Sequence, residues 1–334
     1  MTKTTKKPTT GLVIGKFYPP HRGHKYLIDF AASKVDQLFV VVCDRSSQTI
    51  PGNLRAKWLK EIHPKTKVLV VNDIEKDDDS LAWAKYTKKF LGFTPNFVFT
   101  SEDYGHDYCR HMGSIHILVD KKRVHVPISA TKVRSNPYKY WQYLEPCVRA
   151  HFAKRVCVVG AESTGTTTMA HSLAQKLKTS WVQEYGRFYS EGRLYEPENS
   201  KWDTTEFSHI AHMQNQFEDA LAKRANKLLI CDTNSFATAI WHERYLGHQD
   251  KQVNHKSKNR HYDLYLITAD DIPFVQDGTR DGEHIRHWMH KKFISELKKH
   301  DQKYIVLKGT HRQRLQTALS SCQRLIADQK TAPS

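Results

Sequence analysis

At 334 residues the chain is too long for most single cores and suits two domains of ~150 residues. Its composition, 39% hydrophobic and 26% charged, is that of a globular protein, and no apolar run approaches the ~20 residues of a membrane span, so no membrane contact is expected. A net charge of +17 calls for an anionic partner, and with no helix-turn-helix, zinc-finger or aromatic RNA-binding pattern that partner is expected to be phosphorylated small molecules, with no nucleic acid.

The opening MTKTTKKPTT is basic and hydroxyl-rich without the apolar centre of a signal peptide, and reads as a disordered tail of a cytoplasmic protein. Residues 11–15 form a short buried strand, the apolar-periodic stretch His24 to Ala32 a helix, and Leu38 to Cys43 a second strand. Further strands are expected at Val68–Val71, Asn96–Phe99 and His116–Val119, with a helix near Ser80 to Leu91, making an open parallel sheet. Between the first strand and helix, Gly15 lets backbone approach a ligand, Pro19 and Pro20 stiffen the turn, and His21 and His24 flank the helix start, where dipole and imidazole donors converge as a triphosphate requires. A second phosphate-binding element is the small-residue turn Ile128-Ser129-Ala130-Thr131-Lys132-Val133-Arg134, with two cations in its first turn. An aromatic, basic stretch from Pro137 then closes the first domain near Ala153.

A second parallel α/β unit starts at Val156–Val159, with later strands at Leu228–Cys231, Asp263–Ile267 and Tyr304–Leu307 spaced by helix-length segments. The polar run His248 to His261 reads as a solvated loop, and the i, i+3 histidines His284, His287 and His290 as a solvated helix face rather than a metal site. The loop Gly160-Ala161-Glu162-Ser163-Thr164-Gly165-Thr166-Thr167, between strand and helix, has the glycine spacing and terminal Thr of a phosphate-binding P-loop, but Thr166 stands where the usual pattern has Lys. Asp232 just past a buried strand, and Glu184, are candidate bases, with Asp232 also a candidate magnesium ligand. The run Phe274 to Arg280, followed by Arg286, is similar to an arginine-bearing lid. Six cysteines show no C-x-x-C spacing, so neither disulfides nor a zinc site is expected.

GKFYPPHRGH and ISATKVRSNPYKYW together resemble the nucleotidyltransferases that carry an H-x-G-H loop and an I-S-x-T-x-x-R motif, and within them the nicotinamide-mononucleotide adenylyltransferase half of the NadR family. Class I aminoacyl-tRNA synthetases share H-x-G-H but pair it with K-M-S-K-S, and the similar Lys256-Ser257-Lys258 lies in the other domain. GAESTG, QEYGRFY, CDTN and FVQDGTRD, in this order, are similar to the ribosylnicotinamide kinase half of the same family, so the resemblance runs from about Gly11 to Leu325. It implies a Rossmann-like H-x-G-H nucleotidyltransferase over 11–153 followed by a P-loop kinase-like domain over 154–328, without the amino-terminal repressor domain of some members.

That resemblance implies a cytoplasmic NAD salvage enzyme using ATP and Mg²⁺, acting on nicotinamide riboside and nicotinamide mononucleotide and forming NAD; a homo-oligomer is compatible with it. In the first domain His21, His24, Lys132 and Arg134 would be catalytic, with Gly15, Lys16, Phe17, Ile128, Ser129 and Thr131 completing the ATP site and Arg55 and Trp58 on the nicotinamide side. In the second, Gly160, Glu162, Ser163, Thr164, Gly165, Thr166, Thr167, Arg280 and Arg286 would bind ATP, Arg187, Asp232 and Asp277 the riboside, and Thr167 and Asp232 the metal, with Asp232 and Glu184 catalytic. Two other readings fit the residues alone: an adenylyltransferase for another phosphorylated acceptor, such as phosphopantetheine, with a non-catalytic nucleotide-sensing P-loop domain, and a regulatory protein that binds NAD or ATP without turnover.

Overall fold

The computed structural model describes residues 7–193, 201–258, 260–276 and 282–327, which divide into two compact units after Val148. The amino-terminal unit runs β1 (Thr10–Gly15), α1 (Arg22–Ala32), β2 (Gln37–Asp44), α2 (Gly52–Ile62), β3 (Lys67–Asn72), α3 (Ser80–Leu91), β4 (Phe97–Thr100), α4 (Gly105–Met112), β5 (Ile115–Leu118) and α5 (Ala130–Ser135). Its five strands are all parallel, in the order β3-β2-β1-β4-β5. The central strands are apolar on both faces because helices cover both: Val13, Val40 and Val42 pack with Leu27 and Ile28 of α1, while Leu12, Val41 and Val98 pack with Ala84 of α3 and Met112 of α4. Order reverses between β1 and β4, and the crevice beyond the carboxyl ends of those strands is where open α/β sheets bind ligands.

Helix α6 (Pro146–Phe152) carries the division between the units. The second unit follows with β6 (Lys154–Gly160), α7 (Thr166–Leu177), β7 (Trp181–Val182), α8 (Tyr185–Gly192), α9 (Thr204–Ala222), β8 (Leu228–Asp232), α10 (Ser235–Leu246), α11 (Lys251–Lys258), β9 (Leu264–Thr268), α12 (Arg286–Lys299), β10 (Tyr304–Leu307) and α13 (His311–Ala327). Its sheet is also wholly parallel, in the order β10-β9-β6-β8-β7. Val156, Val158, Ile230 and Leu266 fill one side of it against Met169 and Leu173 of α7 and Ala318 of α13.

The run expected to be a solvated loop from His248 to His261 instead contains α11. Asp250 Oδ1 accepts the amides of Gln252 at 2.8 Å and Val253 at 3.0 Å, which caps the helix, and the fully buried Val253 anchors it, so one apolar residue outweighs a polar text. All six cysteines are free and buried, and burial pushes Cys43, Cys109 and Cys322 up to about 12. No helix of the described residues is long and apolar enough to cross a membrane.

Candidate active sites

From the carboxyl end of β1 the chain passes through Phe17, in the left-handed region at φ 45°, and a cis Tyr18–Pro19 bond to His21, which caps α1. His21 Nδ1 accepts the amides of Gly23 at 3.1 Å and His24 at 3.3 Å. An Nδ1 that accepts two N–H groups is unprotonated, so the neutral ring carries its proton on Nε2, as a donor. Burial, then the charge of Arg123, lowers its pKa to about 3. His24 stacks on it with centroids 3.8 Å apart, edge-on to Phe17, and burial followed by the charges of His21 and Arg123 holds its pKa well below the ordinary imidazole value. The site thus offers two neutral imidazoles side by side at a helix start.

The Ile128–Arg134 turn lies against this loop. A Cβ on Gly23 would stand 3.4 Å from Ile128 Cγ2 and 3.0 Å from the His21 ring, which explains the glycine between the two histidines. Ser129 caps α5 by accepting the amide of Lys132 at 3.3 Å. Arg134 donates to the carbonyl of Tyr18 at 2.6 Å and to Thr131 Oγ1 at 3.2 Å, and its guanidinium lies 4.9 Å over the Tyr18 ring. Gly15 is open, with only the Phe17 ring in reach of a would-be Cβ, and Lys16 pairs with Asp77 at 3.1 Å, which also takes Arg45 at 3.0 Å.

Arg55 and Trp58 do not reach the surface of this crevice. Arg55 is fully buried, and its donors go to Ile50 O, Lys16 O, Cys43 O, Asp44 Oδ1 and Gln48 Oε1, which exhausts the five N–H groups of a guanidinium. It braces the loop from beneath through Lys16 O and lies 5.5 Å from the Tyr18 ring. Trp58 is 5% exposed, a core position on α2. The sequence reading missed Arg123, whose basic surroundings, VDKKRVHV, carry no motif, and the Lys16–Asp77–Arg45 ion network.

In the second unit the loop after β6 borders a cavity of ≈ 350 Å³. A Cβ at Gly160 would lie 2.6 Å from Thr164 Oγ1, and Gly165 holds φ 83°, so both glycines are demanded by the turn. Thr164 is turned inward, its hydroxyl on Ala161 O and Thr268 Oγ1 at 2.7 Å each. Thr166 and Thr167, opening α7, line the cavity with Glu162, Ser163, Glu184 and Arg187. Glu162 is tied to Arg244 at 2.9 Å and the Gly282 amide at 2.7 Å, while Ser163 Oγ accepts the Val275 amide at 2.7 Å. Arg286, 9% exposed, donates to Ser163 O at 3.3 Å and Ile272 O at 3.0 Å, so it braces the loop from within. Asp277 and Arg280 lie outside the described residues.

Asp232 ends β8, 1% exposed, and neither carboxylate oxygen makes a well-formed hydrogen bond among the described residues, although the Thr167 hydroxyl stands close enough to stabilise its charge. Burial raises its pKa above the carboxylate range, with Thr167 and Arg187 pulling the other way. Glu184 is raised as well, by burial and then by the charge of Asp232. Each carboxyl therefore resists ionisation more than an exposed one does, and the charge of one raises the cost of ionising the other. Aromatic side chains absent from the sequence reading, Trp202, Phe207, Trp241 and Tyr245, form the far wall, and the i, i+4 pair on α10 was the available signal. His287 lies exposed against Asp270, and no cluster of metal-ligating side chains exists among the described residues.

Residues 12–136 match the cytidylyltransferase-like family model and residues 155–314 the AAA domain model. The chain is 31% identical over 299 residues to the trifunctional NAD biosynthesis/regulator protein NadR of Escherichia coli strain K12, covering 82% of this chain and 72% of that one. To the protein of the same description in Salmonella typhimurium strain LT2 it is 30% identical over 297 residues, with the same coverage. Among solved structures, a NadR protein in complex with NAD and AMP-PNP superposes with TM-score 0.76 at 22% identity, covering 98% of both chains. A NadR protein in complex with NR gives TM-score 0.75 at 21% identity, covering 96% of this chain and 97% of that one.

Proposed function

The chain belongs to the NadR family of NAD biosynthesis proteins, and from that premise we propose that it is a two-step salvage enzyme. Residues 11–153 transfer the adenylyl group of ATP to nicotinamide mononucleotide, and residues 154–328 make that mononucleotide by phosphorylating nicotinamide riboside.

What carries the first assignment is the pair of neutral stacked imidazoles beside the turn that bears Arg134. A phosphate oxygen of the mononucleotide attacks the α-phosphorus of ATP; the bond to the bridging oxygen breaks, and pyrophosphate leaves. No enzyme nucleophile is needed, so the protein positions and stabilises charge. His21 Nε2–H and the His24 ring donate to phosphate oxygens, Lys16 exchanges Asp77 for phosphate, and Lys132 with the remaining donors of Arg134 holds the leaving group. Gly15, Phe17, Ile128, Ser129 and Thr131 shape that site.

In the second unit the carrying observation is the buried carboxylate of Asp232, flanked by two residues that line the P-loop cavity, Thr233 next to it in the chain and Thr167, whose hydroxyl acts on its charge. The riboside 5′-hydroxyl oxygen attacks the γ-phosphorus, ADP leaves, and the hydroxyl proton passes to Glu184, which lines the cavity, while Asp232 supplies the fixed negative charge. Amides of the loop cradle the phosphates, and Arg187 supplies cationic charge where the loop has Thr166 instead of Lys. Mg²⁺ fits here: the Asp232 carboxylate, without a well-formed hydrogen bond, and the Thr167 hydroxyl would hold it, and when bound it supplies charge neutralisation between the phosphates.

Assaying pyrophosphate release from ATP with nicotinamide mononucleotide and with phosphopantetheine, NAD being the second product in the first case, and mononucleotide formation from the riboside, tests both halves. Turnover of phosphopantetheine alone overturns the first, and an absence of riboside phosphorylation beside intact adenylyl transfer overturns the second.

A further inference from the structure

Helix α10 has two working faces. Thr238, Trp241 and Tyr245 line the phosphate-loop cavity, while Phe236, Ala239, Ile240 and Glu243, spaced i, i+3, i+4 and i+7, wall a second cavity of ≈ 610 Å³. The second cavity lies at the amino-terminal ends of two strands: Tyr265 is the second residue of β9, and Gln302 shortly precedes β10. Substrates of open α/β sheets bind at carboxyl ends, where the loop after β6 sits, so this cavity belongs to neither step of the proposed reaction. Its volume is within the ~300–1,000 Å³ of small-molecule sites.

Its lining specifies a ligand chemistry. Phe236 is partly exposed and is braced edge to face at 5.7 Å by the buried Tyr265, so its ring gives the cavity an aromatic wall. Cations stand at the rim: Lys258 has no ion pair among the described residues, and Lys299, 62% exposed, makes only a 3.4 Å contact with Glu296. Inside, the carboxylates of Glu243 and Glu296 share Lys292 at 2.8 and 3.3 Å, and Gln249 Nε2 donates to Glu243 at 2.8 Å, leaving acceptor capacity for hydroxyl groups. A flat base on the aromatic wall, sugar hydroxyls on the carboxylates and a phosphate at the rim lysines make a nucleoside monophosphate the complementary ligand.

A physical link joins the cavities. Tyr265 Oη accepts from Asn234 Nδ2 at 3.0 Å, and Asn234 caps α10 by accepting the Ala237 amide at 3.0 Å, directly after Thr233 of the first cavity. We propose that the second cavity is an effector site for a nucleoside monophosphate and that α10, with its Asn234 cap, carries occupancy to the first cavity. The transmission rests on reading the first cavity as the riboside site; the binding does not.

The test is calorimetric titration of the full chain with AMP under saturating AMP-PNP, which fills the ATP sites. Wild type is expected to bind AMP with Kd below about 1 mM. Reversing the exposed rim charges, Lys258→Glu with Lys299→Glu, should weaken binding at least ~10-fold, and filling the cavity by Ala239→Leu should do the same. No AMP uptake by wild type, or equal uptake by both variants, overturns the site. Saturating AMP should shift the riboside Kd by ~5-fold or more in wild type and leave it unchanged in the variants; an unshifted wild type overturns the transmission. A chain that binds no riboside at all defeats the kinase reading, while the AMP comparison still decides the site.

Discussion

Arg134 donates to the main-chain carbonyl of Tyr18 at 2.6 Å across 116 residues of sequence, so the second phosphate-binding motif of the amino-terminal unit is fastened to the first. Arg134→Ala should therefore do more than remove a charge: kcat for NAD formation is expected to fall by ~10²-fold or more, with a smaller change in thermal stability because the side chain is exposed. Arg134→Lys should recover little, since an ammonium cannot hold carbonyl, hydroxyl and phosphate in one plane. Steady-state kinetics of both variants check this, and full recovery by lysine would show that only the charge matters.

His24→Ala should lower turnover by at least ~10²-fold, the usual scale for one preorganised donor. The same buried imidazoles make stability depend on pH. His21 has a folded pKa of about 3 against an ordinary 6.5, so as pH falls below 6.5 the unfolded chain takes up a proton that the folded chain refuses. Stability is full above that value and declines through the window from 6.5 toward 3. Tm should be lower at pH 5 than at pH 7, and His21→Asn, which keeps a cap acceptor, should flatten the dependence.

Asp232 presents the opposite sign. Its pKa is raised in the folded state, so the folded chain is the better proton binder, and ionising this buried carboxylate as pH rises destabilises the fold. Asp232→Asn should raise Tm by a few degrees, about 1–3 kcal/mol, while removing riboside phosphorylation. A variant that is less stable and still active would contradict both halves of that expectation.

Thr166 lines the phosphate cavity at the position where a P-loop lysine would reach the β- and γ-phosphates. Thr166→Lys should speed mononucleotide formation from the riboside, most clearly in an Arg280→Ala background if that arginine supplies the missing charge. A several-hundred-fold range, about 3–4 kcal/mol, separates a fully absent cation from a fully replaced one. Single-turnover kinetics give the comparison; a slower lysine variant would mean that the cavity has been rebuilt around threonine.

Arg55→Lys should be a folding mutation. An ammonium brings three donors to a buried site with five acceptors, so at least two acceptors lose their partners at about 1–3 kcal/mol each, and affinity for the mononucleotide should change only through that loss of order. Denaturant unfolding beside substrate titration separates the two effects.

Much of this was readable in the sequence. The alternation of apolar strands with helix-length segments foretold both parallel sheets, and the helix expected from Ser80 to Leu91 has those bounds because Asp79 caps it and Gly92 ends it in the left-handed region. Motif residues could be placed because glycine and histidine spacing encodes local turns. Arg55 was misleading because its surroundings are long-range: the acceptors around it come from segments the sequence does not place together. Arg123 and, apart from the i, i+4 pair on α10, the aromatic wall of the phosphate-loop cavity were silent for the same reason, being assembled by packing rather than by spacing. Helix α11 escaped notice because its one buried residue is invisible to periodicity.

The six cysteines distribute evenly, Cys43, Cys109 and Cys147 in the amino-terminal unit and Cys157, Cys231 and Cys322 in the other, and every one is sealed inside a core. A folded molecule is therefore unreactive toward maleimides, and each thiol becomes a stopwatch that starts only when its own surroundings open. Mass-resolved labelling in mild denaturant would time the melting of the two halves separately within one intact chain, without an added probe, and would show whether a nucleotide bound to one half steadies the other.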